Sequence, residues 1–178
     1  PSWNTLADKF IDDNEYDVWQ FYYPHDQKID ASAQQLSKSI FQILKQGGPL
    51  NFGNDQYSSN GIKIVAHSMG GLVTRQYIQS NTYKNNISKL LMLGTPNNGS
   101  FSVYRLLDEI SFRGLNYMSV MSDVKSPATI EMTPGSSFLK SLNDQTPRAL
   151  KNSGVIFKDY LVIAGTDNCV PLGIHDEI

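Results

Sequence analysis

The sequence predicts an α/β fold with a mostly parallel, doubly wound sheet. Short apolar runs alternate with amphipathic helical segments along the chain, and this alternation is typical of parallel strands with helices on both faces. Residues capable of chemistry also follow the predicted strand ends, at Ser68 and in residues 94–100 and 167–176, where active sites form in such sheets. The length of 178 residues suits a single domain, residues 1–178.

The first predicted elements are a short helix and a strand. Trp3, Leu6 and Phe10 recur at helical spacing, which predicts a short N-terminal helix. The segment YDVWQFYYP, residues 16–24, is rich in aromatic and β-branched side chains and ends at Pro24. It therefore predicts a strand.

An amphipathic helix is predicted next. Its apolar positions lie on one face: Ala33, Leu36, Ile40, Ile43 and Leu44. Asp30 or Ser32 is expected to cap its N-terminus, and the Gly-Gly-Pro sequence at residues 47–49 is expected to end it.

Three further strands and a helix are predicted downstream. Residues 62–67, IKIVAH, predict a strand, and residues 71–80, GLVTRQYIQS, predict the helix that follows it. The segment ISKLLMLGTP, residues 87–96, predicts a third strand that Pro96 closes. VIFKDYLVIAGT, residues 155–166, predicts a fourth.

Residues 99–153 interrupt the alternation and are interpreted as an insertion within the domain. Helices are predicted near residues 101–110 and 136–143. The aromatic and aliphatic side chains of this insertion, such as Phe101 and Tyr104, can face either a substrate or the core. Two interpretations therefore stay open, a lid or cap over an acyl pocket and ordinary packing against the sheet.

The composition and charge of the chain give no support to several classes of binding partner. The net charge of −2 and the pI near 5.9 give no electrostatic reason to expect nucleic acid or an anionic membrane surface. The apolar stretches are too short to span a bilayer, so no transmembrane segment is expected. The single cysteine, Cys169, excludes an internal disulfide and leaves the compartment undetermined.

The pentapeptide Ala66-His67-Ser68-Met69-Gly70 places a serine between small residues two positions away on each side. A nucleophile elbow requires this pattern, because the serine occupies a tight, strained turn between a strand and a helix. Gly71 would let the helix pack closely on neighbouring strands. The structural alternative is a strand-to-helix turn without a catalytic role, in which the Ser68 side chain caps the helix.

An elbow at Ser68 has two electrostatic consequences. The serine would lie at the positive end of a helix dipole, which favours a developing anion. The backbone N–H of Met69 would point to the place where an oxyanion forms.

Three segments carry a resemblance to a known family: VAHSMGGLVTRQYI, LLMLGTPNNGS and SSFLKSLND. They resemble α/β-hydrolase-fold serine esterases and lipases, and are most similar to bacterial lipases and to the deacylase group that includes GPI inositol-deacylase-like proteins. The resemblance covers nearly the whole chain in order. It implies the fold and serine chemistry, and it implies that the chain is a fragment of a catalytic domain.

A serine nucleophile needs a general base, which is nearly always a histidine oriented by a carboxylate. His25 is interpreted as a solvated loop residue, His67 as a packed or hydrogen-bonded structural residue, and His175 as too close to the candidate acid to reach around it. The resemblance implies a base downstream of the chain and a second oxyanion donor upstream. An incomplete site, with little activity of the chain alone, is therefore expected.

Two carboxylates compete for the role of catalytic acid. Asp176 is preferred because its surroundings, HDEI, resemble the acid loop of the similar lipases, although Glu177 stands where those proteins have glycine. Asp167, in GTDNCVP directly after the fourth predicted strand, is the alternative. The other aspartate is then a turn-forming residue.

The remaining candidates have structural interpretations. Arg75, on the helix behind the serine, is expected to form an ion pair or to contact a carbonyl. Residues 94–100, GTPNNGS, are expected to line the floor of the site, to form a turn, or both. Cys169 lacks the base and small neighbours of a nucleophile. Paired His and Cys spacing is absent, so neither a metal nor a cofactor is expected.

These observations predict a serine hydrolase that cleaves carboxylic esters, with a lipid or another apolar acyl ester as its substrate. An acyltransferase on the same fold and a non-catalytic binding module remain as alternatives. The acyl-chain length, the oligomeric state and the compartment are not determined by the sequence.

Overall fold

The computed structural model of the chain describes residues 7–9, 11, 18–45, 61–101, 125–153 and 160–163. Four helices are described: α1 (Ile29–Lys45), α2 (Met69–Gln79), α3 (Pro127–Glu131) and α4 (Ser137–Ser153). Three strands are described: β1 (Ile62–His67), β2 (Ile87–Leu93) and β3 (Tyr160–Ile163). Residues 7–9 and 11 are helical, within the first predicted helix.

The three strands form a parallel sheet in the order β1-β2-β3. His67 pairs with Leu93, and Leu93 pairs with Ile163, so all three strands end level with one another. The residues that follow the strands, including Ser68 and Gly94, therefore leave the sheet at the same edge. This confirms the predicted α/β class with its parallel sheet.

The core is formed between the sheet and the helices. Its most deeply buried large side chains come from α1, α2 and β2: Ile29, Leu72, Val73, Tyr77, Leu90 and Met92. Each such side chain contributes about 2 kcal/mol by leaving water. Helix α2 packs on α1 and on α4, and it directly follows β1. The packing of α2 on these described elements fixes the position of Ser68, because the first residue of α2 follows it.

Helix α1 has the predicted apolar face, but neither Asp30 nor Ser32 precedes it as the predicted N-terminal cap. The Gly-Gly-Pro sequence that was expected to end it lies outside the described residues. The helix begins at Ile29, whose N–H donates to the Oε2 atom of Glu131 at 2.7 Å. Asp30 lies inside the first turn and accepts hydrogen bonds from Gln34 and Gln76, while Ser32 is fully buried. The capping prediction was wrong because the acceptor is supplied by α3, far along the chain, and not by a residue beside the helix.

Residues 18–23, within the second predicted element, form no ladder with the described strands. From residue 20 to residue 24 the side chains still alternate, since Gln20, Tyr22 and Pro24 are exposed and Phe21 and Tyr23 are half-buried against the core. The Phe21 and Tyr23 rings stack with centroids 5.3 Å apart. Aromatic and β-branched composition specifies this alternation, whereas strand pairing also depends on a neighbour that the segment itself does not encode.

Within the predicted insertion, residues 125–145 pack on the core. Helix α3 was not predicted, although Ser126 caps it by accepting the Thr129 N–H at 3.2 Å and Pro127 occupies its start, a common helix-start pattern. Ala128, Leu139 and Leu142 are almost completely buried. Residues 102–124 lie outside the described residues, so the lid remains a prediction.

Helix α4 confirms the helix predicted near 136–143 and continues to Ser153. Among the helices in the described ranges, none has the length and apolar character required to cross a membrane.

Candidate active site

Ser68 joins β1 directly to α2 in a strained backbone conformation. Its φ is 51° and its ψ is −128°, a region that residues other than glycine rarely adopt and that costs about 1–3 kcal/mol. The Ser68 N–H donates to the Leu93 carbonyl at 2.9 Å, and the Ser68 carbonyl accepts the Gly71 N–H at 3.1 Å. Strand β2 and the first turn of α2 therefore hold the serine from both sides.

The Ser68 side chain is half-buried and makes no hydrogen bond that caps α2. A serine that served the helix as a cap would use its hydroxyl oxygen to accept an N–H of the first turn. The alternative interpretation, in which the Ser68 side chain only caps α2, therefore lacks the hydrogen bond that defines a cap. The strain at this residue is sustained without the stabilisation that capping provides.

Small residues surround the turn, but two of the glycines have different roles. A Cβ atom at Gly70 would lie 3.8 Å from the Ala66 Cβ and 3.5 Å from the Tyr23 hydroxyl, which are ordinary contacts. A Cβ atom at Gly71 would lie 2.0 Å from Thr95 Oγ1, which is a severe overlap. A larger residue at position 71 would therefore force the Thr95 side chain, in the loop after β2, to move away from the helix.

The electrostatic environment of Ser68 favours an anion. The first N–H groups of an α-helix have no acceptor within the helix, and they carry its positive partial charge. Met69 is the first residue of α2, so its N–H is among these groups, and the first turn contains no acidic residue that would neutralise their field. The Tyr23 hydroxyl lies near Gly70 and adds no negative charge there, because burial raises its pKa further above neutral pH.

Residues 94–100 follow β2 and lie beside the turn at Ser68. Gly94 and Gly99 have positive φ angles of 57° and 100°. At Gly99 a Cβ atom would lie 2.5 Å from the backbone nitrogen of Pro134, and the neighbouring Ser100 N–H donates to the Met132 carbonyl at 2.8 Å. The turn between α3 and α4 therefore fixes the far end of this loop by direct backbone contact.

Arg75 fixes the middle of the same loop. Its Nη1 donates to Asn97 Oδ1 at 2.7 Å and its Nη2 donates to Asn143 Oδ1 at 2.8 Å. Asn143 Nδ2 in turn donates to the Asn97 carbonyl at 3.1 Å. These contacts agree with the prediction that Arg75 is structural, and the acceptors in these two hydrogen bonds are side-chain amides. Sequence reasoning missed Asn143, which lies 46 residues from Asn97 and carries no local signal.

The structure places some of the predicted site residues and not others. Ser68 and Met69 lie at the carboxyl edge of the sheet, as described above. The histidine before the serine, His67, is exposed, so the packed alternative of its prediction is wrong and the hydrogen-bonded alternative stays a prediction. His25 is an exposed loop residue, as predicted. Both candidate acids, Asp176 and Asp167, lie outside the described residues, as do His175 and Cys169. The acid therefore remains a prediction.

A parallel sheet in which one strand runs directly into a strained serine and then into a helix is the architecture of the α/β-hydrolase class. A family model described as palmitoyl protein thioesterase matches residues 9–161, most of the chain. The chain therefore belongs to the palmitoyl protein thioesterase family. This confirms the resemblance to α/β-hydrolase-fold esterases that the three sequence segments carry.

Solved structures of the same fold include two bacterial enzymes. The mature form of the lipase BlEst2 from Bacillus licheniformis is similar with a TM-score of 0.52 and 22% identity, over 79% of this chain and 49% of that one. The phospholipase PlaB from Legionella pneumophila is similar with a TM-score of 0.56 and 18% identity, over 94% of this chain and 35% of that one. At these identities the likeness establishes the fold.

A curated relative extends the comparison to eukaryotes. An uncharacterized protein of Saccharomyces cerevisiae is 34% identical over 79 residues, which are 44% of this chain and 10% of the yeast protein. The chain thus spans about half the length of the Bacillus lipase and a tenth of the yeast relative.

Proposed function

We propose that the protein is an ester hydrolase in which Ser68 is the nucleophile. The observation that carries the proposal is the backbone conformation of Ser68, which is held at positive φ between β1 and the N-terminus of α2 without a capping contact. Strain of this kind persists where the surrounding structure enforces it, and it is concentrated at functional sites. The family to which the chain belongs supports ester hydrolysis as the chemistry.

The reaction has two steps. The Ser68 hydroxyl attacks the carbonyl carbon of the ester while a histidine takes its proton, and the tetrahedral oxyanion is held by N–H groups that include that of Met69. The alcohol leaves with the proton from the histidine, and the acyl group remains on Ser68. Water then attacks the acyl-enzyme by the same route and releases the carboxylic acid.

Asp176 is the acid that we propose to orient the histidine, with Asp167 as the alternative. Of the histidines, His25 and His67 are exposed, and His175 lies outside the described residues. The base that we propose is a histidine in a longer polypeptide that contains the chain, as the resemblance to α/β-hydrolase-fold esterases implies. An acyl ester with a lipid or another apolar chain is the proposed substrate. The name of the matched family adds long-chain acyl thioesters as the substrates to compare with oxygen esters.

Labelling with a fluorophosphonate probe tests the proposal, because the probe forms a covalent adduct with activated serines. The full polypeptide is expected to be labelled, and Ser68→Ala is expected to abolish the labelling. Ser141→Ala, at an exposed serine on α4, is the matched control and should label like the unmodified protein. Labelling that persists in Ser68→Ala would refute the assignment of Ser68 as the nucleophile.

The two alternatives make different predictions in the same assay. A non-catalytic binding module would not be labelled at any serine. An acyltransferase would be labelled at Ser68 but would give mainly the transferred ester when an acceptor alcohol is added to the substrate, whereas a hydrolase would still release mainly the free acid.

A further inference from the structure

Arg75 links three elements that meet at the site. It is carried by α2, the helix that begins after Ser68, and it lies almost entirely in the interior. Its guanidinium reaches Asn97 in the loop after β2 and Asn143 on α4. Asn143 also donates to the Asn97 carbonyl and to Asn98 Oδ1, at 3.1 and 3.3 Å. These contacts close a ring of hydrogen bonds among Arg75, Asn97 and Asn143.

The chemistry of arginine defines the orientation of both amides. A guanidinium has only donors, so each amide must turn its oxygen towards Arg75. Asn143 is then left with its Nδ2 donors facing the loop, where they meet the Asn97 carbonyl and Asn98 Oδ1. A planar fork can hold two acceptors in one fixed geometry, whereas a lysine ammonium acts as a point charge on a flexible stem.

The loop held by this ring touches the nucleophile turn. Thr95 lies two residues before Asn97 and packs so closely on Gly71 that no Cβ atom fits there. The Gly71 N–H is in turn bonded to the Ser68 carbonyl. The path from Arg75 to the serine therefore runs through Asn97, Thr95 and Gly71, and each step is a direct contact or a short piece of backbone.

We propose that Arg75 is a positioning residue of the active site, which holds residues 94–100 against the first turn of α2 and so keeps Ser68 and its oxyanion donors in their reactive arrangement. This inference rests on the proposed function of Ser68. Arg75 acts through Asn97 and Asn143 and does not touch the substrate. Its loss is therefore expected to slow the chemical step while the pocket still binds the ester.

The experiment compares Arg75→Lys, Asn143→Ala and the double variant in the full polypeptide. Active sites are first counted by the burst of an activated ester, and the steady-state rate is then divided by that count. Each single variant is expected to lower the turnover per titrated site about 10- to 100-fold, the scale of a small misplacement of reacting groups. KM is expected to stay within about threefold, because ground-state binding is kept.

The double variant and a control separate positioning from stability. Because Arg75 and Asn143 belong to one ring, the double variant is expected to be no slower than the slower single variant. Gln76→Ala is the matched control, since Gln76 is adjacent on α2 and its side chain donates to Asp30 on α1 at 3.0 Å, away from the loop. It should leave the turnover per site unchanged.

Two results would overturn the inference. One is that Arg75→Lys and Asn143→Ala reduce the number of titratable sites but leave the turnover of each site unchanged, which would mean that the ring only stabilises the fold. The other is a loss of the same size in Gln76→Ala. If Arg75→Lys does not fold, Asn143→Ala decides alone. Labelling that persists in Ser68→Ala would instead refute the proposed function, so the two failures are distinguishable.

Discussion

The connections that follow β1 and β2 leave the sheet side by side, yet they are held in place by different means. The turn after β1 is the single residue Ser68, which is fixed by backbone hydrogen bonds and by small neighbours in the adjoining sequence. The loop after β2, residues 94–100, is fixed by Arg75 and by residues 132–143 from much later in the chain. The first therefore depends mainly on adjoining residues, apart from the hydrogen bond to the Leu93 carbonyl, and the second depends on residues that are distant in the chain.

This difference explains what the sequence could reveal. The strand, serine and helix around position 68 are contiguous, so the small-residue pattern and the periodicity of the flanks are visible together, and the structure has that order. The ring around Arg75 joins residues up to 68 positions apart. Sequence reasoning singled out Arg75 and residues 94–100 separately but had no means of pairing them.

The largest loss of stability is expected for Gly99→Ala, which would disrupt the tertiary contact between the loop after β2 and Pro134. The new Cβ atom would lie 2.5 Å from the Pro134 backbone nitrogen, and the residue would also need a positive φ. A loss of about 3 kcal/mol or more in the free energy of unfolding is expected, because backbone atoms cannot yield as a side chain can.

Gly135→Ala is the control for this loss. Gly135 also has a positive φ, 75°, but a Cβ atom there would meet nothing within 4 Å. It should lose about 1–2 kcal/mol from backbone strain alone. Urea unfolding of both variants measures the difference, and equal losses would contradict the close approach of the loop to Pro134.

A smaller effect is expected for Gly71→Ala, at the contact between the two connections. Overlap of the new Cβ atom with the Thr95 side chain costs about 1–3 kcal/mol of stability. The higher helix propensity of alanine offsets up to about 1 kcal/mol of this cost. A net destabilisation is therefore expected in urea unfolding.

Gly70→Ala, one residue earlier, is the control that tests whether the contact with Thr95 causes the loss of stability in Gly71→Ala. Its Cβ atom would have only ordinary contacts, at 3.5 and 3.8 Å, so it should be neutral or slightly stabilising. If Gly70→Ala lost as much stability as Gly71→Ala, the two glycines would share one role, and the contact with Thr95 would not be the cause.

The smallest effect is expected at Glu131, which joins α3 to α1. Burial is the main cause that raises the pKa of this carboxyl, opposed by the Ile29 N–H and by Lys28. A group with a raised pKa in the folded state contributes stability that is complete below its unfolded pKa and is lost as the pH rises through the folded pKa. The Glu131 contribution should therefore decline as the pH rises above the ordinary carboxyl range.

Glu131→Gln tests this sign. Its side-chain oxygen can still accept the Ile29 N–H, but it does not ionise. The difference in unfolding free energy between Glu131→Gln and the unmodified protein should thus shift in favour of the glutamine variant from about pH 4 to about pH 7. Asp144→Asn, at an exposed acid on α4, is the matched control. A difference that moved the other way with pH would contradict the dominance of burial.

Two other predictions from the sequence were wrong for the same reason that the hydrogen-bond ring around Arg75 was missed, because each depended on a partner elsewhere in the chain. The expected caps of α1 were local residues, but the N–H of Ile29 is satisfied by Glu131, 102 residues away. The strand predicted in residues 16–24 required a neighbour to pair with, and its described part forms no ladder with the described strands. By contrast, α3 begins with a local Ser-Pro pattern, so the helix could have been predicted from the sequence within the segment interpreted as an insertion.

The most direct test of the central claim is to locate the covalent adduct by peptide mass spectrometry. The full polypeptide would be treated with a fluorophosphonate or trapped with a slowly hydrolysed acyl ester, digested, and mapped. The added mass is expected on Ser68, in the peptide that joins β1 to α2. An adduct on a different residue, or a catalytically active protein that carries none on Ser68, would contradict this claim.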